Sequence, residues 1–132
     1  MILIDTNILI DLFAEDPAWK DRSLAAFRLA KARDALAIND VVYAELAPGF
    51  PNVAELDAAL AALDVVVVPT AKSALFLAGH VYQRYRRQQG AKLNVLPDFF
   101  IGAHAAVEGT QLLTRDARRI KAYFPTVEVI SP

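Results

Sequence analysis

Short runs of β-branched and aliphatic residues alternate along this chain with longer stretches of helical periodicity, and that alternation leaves few folds open. The runs lie at Ile2–Asp5, Ala35–Ile38, Val65–Val68, Gln111–Thr114 and Val127–Ile130. They are short and almost wholly apolar, which is how strands read when both faces of a sheet are covered. Trp19–Arg33, Val53–Leu63, Ala71–Gln89, Asp98–Glu108 and Ala117–Tyr123 carry helix formers with apolar residues at helical spacing. Boundary signals agree: Asn52 with Glu55, and Thr70 before Ala71, suit helix starts, while Gly90 and Gly109 sit where helices should stop. The stretch Ala47-Pro48-Gly49-Phe50-Pro51 reads as a turn between helices. Alternating β and α units with buried strands imply a five-stranded parallel sheet with helices on both faces, a three-layer α/β/α sandwich. No internal repeat, low-complexity tract or long linker divides the 132 residues, so residues 1–132 are expected to form a single domain.

Composition narrows the chemistry. Hydrophobic residues make up 55% of the chain and mean hydropathy is +0.30, yet no apolar run approaches the ~18 residues of a membrane span. The expectation is a soluble protein with apolar surface to spare for a partner. The N-terminus has no basic region and no small-residue cleavage site after an apolar stretch, so a cytoplasmic location is expected. The absence of cysteine excludes disulfides, thiolate zinc sites and thiol nucleophiles, leaving any metal to oxygen or histidine. The net charge of −1 hides an asymmetry: residues 1–64 hold 5 Lys/Arg against 11 Asp/Glu, and residues 65–132 hold 9 against 4. That distribution suits an acidic site beside a basic surface that steers a polyanion, although solvated helix faces give similar totals. Glycine-rich phosphate loops and the Gly-x-Ser-x-Gly nucleophile motif are absent.

In parallel α/β sheets ligands bind beyond the carboxyl ends of the strands. Asp5 ends the first run and Asp116 follows the fourth, while Asp98 opens a helix, where its charge meets the favourable end of the helix dipole. Glu45 lies in a short helix after the second run, among Val42, Ala44 and Leu46. Each has an ordinary reading alone: Asp5 as a turn former, Asp98 or Asp116 as a helix cap, Glu45 on a solvent face. All four on one sheet edge are better explained as a site. Carboxylates ~4 Å apart repel by several kcal/mol at an intermediate dielectric, so a divalent cation is expected as counter-charge. Oxygen-only ligation favours Mg²⁺ or Mn²⁺, which take phosphate oxygens as further ligands, and this points to a phosphodiester or phosphate ester substrate.

The segments Ile2-Leu3-Ile4-Asp5-Thr6-Asn7, Ala44-Glu45-Leu46, Pro97-Asp98-Phe99-Phe100-Ile101-Gly102-Ala103-His104-Ala105 and Thr114-Arg115-Asp116 resemble, in this order, the motifs of PIN domains, and of VapC toxins most closely. The resemblance spans about the whole chain, and its specificity lies in the combination. It implies a PIN-like ribonuclease, the toxin of a VapBC toxin–antitoxin pair. Asp5, Glu45, Asp98 and Asp116 would hold one or two Mg²⁺ or Mn²⁺ ions that orient a water for in-line attack on an RNA phosphate. Asn7 and Thr114 would orient Asp5 and Asp116, though ordinary turn and strand-end hydrogen bonding accounts for them equally. The partners implied are an RNA substrate, a VapB-type antitoxin covering the groove, and a second copy in a homodimer. Asn39-Asp40 and Tyr43 depart from the family pattern, in which small hydroxyl residues are frequent before the helical glutamate.

Two basic groups are candidate phosphate contacts, Arg115, Arg118, Arg119 and Lys121 near Asp116, and Arg84, Arg86, Arg87 and Lys92; Arg115, Arg118, Arg84 and Arg87 are the leading RNA-binding residues. Solvated helix faces explain such runs as well. His80 and His104 read as packing or surface residues, and Asp11 as pointing elsewhere on the first helix; Phe13, Trp19 and Phe27 read as core or interface. Two rivals remain. A receiver-like signalling domain lacks its phosphoacceptor Asp at the end of the third run and its Lys at the end of the fifth, where Val68-Pro69 and Ile130-Ser131 stand. A PIN-like domain that binds RNA or protein without cleaving is opposed by the full carboxylate set.

Overall fold

Ile2, Leu3 and Ile4 have no polar atom to offer beyond the backbone, are completely buried, and form β1 (Ile2–Ile4) at the centre of the sheet. The computed structural model describes residues 1–89 and 96–132; the expected helix stop at Gly90 and the basic residue Lys92 lie outside them. β2 (Leu36–Asn39) flanks β1 on one side, with Leu3 opposite Ala37, and β4 (Gln111–Leu113) on the other, with Leu3 opposite Leu112. β3 (Val65–Val68) and β5 (Val129–Ile130) complete a five-stranded sheet in the order β3-β2-β1-β4-β5, every pairing parallel.

Parallel neighbours require crossovers. α1 (Thr6–Phe13) and α2 (Lys20–Arg33) join β1 to β2, and α3 (Asp40–Leu46), a 3₁₀ turn (Ala47–Gly49) and α4 (Val53–Ala62) join β2 to β3. α5 (Lys72–Gln89) and α6 (Leu96–Glu108) lie between β3 and β4, and α7 (Ala117–Tyr123) between β4 and β5. The result is the expected three-layer α/β/α arrangement. Among the described residues no helix is long and apolar enough to cross a membrane.

Several boundaries move for local reasons. Asn52 caps α4 by accepting from the Glu55 amide at 2.9 Å, and Gly109, at φ +65°, ends α6 in the left-handed conformation that glycine adopts without strain. Thr70 stands two residues before the start of α5 at Lys72, and its hydroxyl donates to Asp40. α6 begins at Leu96, so Asp98 sits within its first turn. β3 is an edge strand and exposes Val66 and Val67, unlike β1 and β2, which are buried throughout. The last strand shortens to Val129–Ile130.

What positions the site is the strand order. From β1 the chain builds outward to β3 and then returns to build β4 and β5 on the other side. The connections leaving β1 and β4 therefore run in opposite directions and open a crevice at the carboxyl ends of these two strands.

Candidate functional site

Asp5 follows β1 directly and caps α1 with its side chain, without an intervening loop. Only 5% exposed, it accepts hydrogen bonds from the Thr6 amide (2.7 Å), the Thr114 hydroxyl (2.7 Å) and the Asn7 side-chain amide (3.3 Å). Thr114 Oγ1 also accepts from the Asp116 amide at 2.9 Å, and Asn7 Oδ1 accepts from the Arg115 amide at 3.2 Å. The two side chains thus lace the end of β1 to the end of β4 and set where Asp5 and Asp116 stand. Burial pushes the Asp5 carboxyl up to about 6 despite the Thr114 and Thr6 hydrogen bonds, and the charges of Asp98 and Glu45 add to the rise.

Glu45 is on the last turns of α3 and is exposed, but its Oε1 accepts from the Thr6 hydroxyl at 2.7 Å, which ties it to the residue after Asp5. Asp98 is half-buried in the first turn of α6. Its carboxyl is also raised, by desolvation first and then by the neighbouring charges of Asp116 and Glu45, against the opposing pull of Arg119. Next to it Phe99 is completely buried between Tyr85 of α5 (ring centroids 5.3 Å apart) and Tyr123 and Phe124 at the end of α7 (5.4 and 6.0 Å), so Asp98 is placed by an aromatic anchor. Asp116 stands at the N-cap position of α7 but makes no capping bond with its side chain. Arg119 Nη1 lies 2.6 Å from Asp98 Oδ2 and 3.0 Å from Asp116 Oδ2.

The four acidic candidates therefore share one edge of the sheet and feel one another's charge. Asn7 and Thr114 bond to Asp5 as described. The arginines divide. Arg115 is taken up internally: its Nε lies 3.1 Å from Oδ2 of Asp11, which is 1% exposed and also accepts from Ser23 at 2.6 Å, and its guanidinium sits 4.7 Å from the Trp19 ring centre. Asp11 and Trp19 thus hold the loop that carries Asp116. Arg118, Arg84 and Arg87 are exposed.

Three participants lie outside the expected set, Thr6, Arg119 as an acid partner, and the Asn39–His104 pair. Asn39 Oδ1 caps α3 by accepting from Val42 N at 2.9 Å, so its amide nitrogen is the donor toward His104 Nδ1 at 3.3 Å. This assigns His104 as a neutral imidazole with its proton on Nε2. His104 is buried, and desolvation lowers its pKa despite Glu108 and Asp40. The pair bridges the helix of Glu45 to the helix of Asp98. Only the Asp116–Arg119 contact had a readable signal, its i,i+3 spacing on a helix.

Among the described residues no three of Asp, Glu and His enclose a metal position as the side chains stand. The donor set nevertheless fits a hard divalent cation, because four carboxylates share this edge without cysteine, and burial first, then neighbouring negative charge, raises the carboxyls of Asp5 and Asp98. The contacts explain the open geometry: Asp98 and Asp116 are turned to Arg119, and Glu45 to Thr6.

A parallel sheet in this order, with an acidic cluster at its switch point, defines a PIN-type α/β domain. The chain belongs to the PIN domain family, whose model matches residues 2–125. A chain of VapBC2 from Rickettsia felis, bound to a DNA fragment from its promoter, superposes with TM-score 0.71 at 20% identity over 99% of this chain and 98% of that one. VapBC-1 from nontypeable Haemophilus influenzae gives 0.68 at 22% over 98% and 96%, and a toxin–antitoxin complex from Klebsiella pneumoniae 0.62 at 25% over 96% and 95%. No curated protein matches the sequence.

Proposed function

We propose that this chain is a Mg²⁺- or Mn²⁺-dependent endoribonuclease and the toxin of a VapBC pair. The observation that carries this reading is the meeting of Asp5, Glu45, Asp98 and Asp116, from four separate segments, at the switch point of a PIN fold. Structural likeness to chains of VapBC complexes supports the toxin assignment.

Asp5, Glu45, Asp98 and Asp116 would hold the ion, which would supply positive charge beside the scissile phosphate and make a water easier to deprotonate for attack. The protein's own part is positional. Asp5, fixed by three donors, is the rigid carboxylate, and its buried charge has no cationic side chain among its hydrogen-bond partners. Asp98 and Asp116 flank it from α6 and α7, Glu45 closes the crevice from α3, and Asn7 and Thr114 keep the β1 and β4 ends in register. Arg84, Arg87 and Arg118 are the exposed cations proposed to meet RNA phosphates.

A cleft of about 530 Å³ runs from Glu45 over Ile10, Phe13, Leu46 and Phe50. Its apolar lining beside the Glu45 carboxylate suits a segment of a VapB-type antitoxin with apolar side chains and a basic residue. Residues 1–132 acting as one domain, a homodimer and a cytoplasmic location complete the proposal.

The test is Asp98→Asn. This nearly isosteric change should keep the circular dichroism of the parent while abolishing Mn²⁺-dependent RNA cleavage and growth inhibition. Undiminished cleavage would reject the assignment. If the parent binds RNA but cleaves none with any divalent ion, the chain is a binding domain instead.

A further inference from the structure

We propose that Arg119 is a tethered counter-cation of the acidic site: it holds Asp98 and Asp116 together in the ion-free protein, and a divalent ion must displace it to bind. The proposal rests on the reading of the acidic cluster as an ion site and adds a competitor built into the chain.

One nitrogen, Nη1, reaches both carboxylates, at 2.6 and 3.0 Å. These carboxylates come from different elements, the first turn of α6 and the start of α7, so the guanidinium cross-links two helices where their negative charges meet. Among the described residues, Arg119 is the positive charge that acts on the Asp98 carboxyl, against the negative charges of Asp116 and Glu45. Arginine cannot relieve the contact by losing its proton, so its charge is there at every working pH. Arg119 and Asp98 retain 24% and 35% side-chain exposure, which leaves room for the guanidinium to leave. The contact also explains why the carboxylates, right in kind and number, do not enclose an ion position as they stand.

A cation that must expel another binds more weakly than one entering a vacant carboxylate pair. Arg119→Met keeps an unbranched, helix-compatible stem and removes the charged end. Calorimetric or electron-spin-resonance titration with Mn²⁺ is expected to show binding tightened on the order of tenfold over the parent, while the ion-free variant melts at lower temperature. If Arg119→Met is unfolded without ion, its folding on Mn²⁺ addition supports the same displacement. Arg119→Lys then supplies the affinity comparison, because it keeps the charge on a side chain one bond shorter, whose nitrogen reaches the point between the two carboxylates less well, and it is expected to bind Mn²⁺ more tightly than the parent. A parent that binds Mn²⁺ with variants that bind it equally or more weakly would overturn the role of Arg119 alone. Failure of parent and variants alike to bind Mn²⁺ would overturn the ion site itself, and this proposal with it.

Discussion

At Asp5 the fold works against its own charge. The side chain is almost fully buried and its carboxyl rises from 3.8 to about 6, chiefly by desolvation, so keeping it ionised in the ion-free fold costs about 3 kcal/mol at neutral pH. Because the folded-state value is the higher one, protonation favours the fold. The contribution is full below the unfolded value of 3.8 and is lost as pH rises through 6. His104 acts oppositely: its pKa is lowered in the folded state, so it removes stability as pH falls below 6.5. The two effects overlap near pH 6 and are separated by a difference measurement. In the presence of a chelator, the stability of the parent relative to Asp5→Asn is expected to rise by about 1–1.5 kcal/mol between pH 8 and pH 5, read from urea midpoints. A difference that stays flat with pH would show that Asp5 is not the group burial perturbs.

Among the elements, α6 carries the most demands, presenting Asp98, burying Phe99 and His104, and packing against α7. The last requirement falls on Gly102, where an added Cβ would lie 2.5 Å from the ring of Phe124, itself buried, and 3.2 Å from Ile120. Gly102→Ala gains helix propensity but overpacks this contact, and a net loss of about 1–3 kcal/mol is expected in chemical denaturation. Unchanged stability would mean that α7 slides freely on α6. The elements themselves were legible, since apolar runs and helical periodicity locate five strands and the longer helices within a few residues. Periodicity could not show that β3 and β5 are edges, because exposure of Val66 and Val67 follows from strand order. The acids were legible for a related reason: strand ends and helix starts are local signals, and Asp5, Asp98 and Asp116 stand at them. Contacts such as Thr6 with Glu45, Asn39 with His104 and Arg119 with Asp98 join residues 39, 65 and 21 positions apart, and no local pattern encodes them.

For the whole molecule, the uneven charge of the two halves becomes a question of which cations are still available. Arg115 is committed to Asp11 and Trp19, and Arg119 to Asp98 and Asp116, so neither is free to neutralise phosphate in the ion-free protein. Arg84 and Arg87 on α5 and Arg118 on α7 are exposed and belong to the basic half. If these three meet an RNA backbone, each releases condensed counterions, and the slope of log affinity against log salt shrinks by ~0.7 for each contact removed from a single strand. Fluorescence anisotropy over a range of KCl concentrations, in an Asp98→Asn background to prevent cleavage, should therefore show a slope flatter by up to about 2 when all three are changed to alanine. Arg115→Ala should instead lower thermal stability, because it leaves the Asp11 carboxylate buried without its cation. A triple variant with the parent's slope would place the RNA path elsewhere on the surface, and a flattened slope for Arg115→Ala would mean that its link to Asp11 opens when RNA arrives.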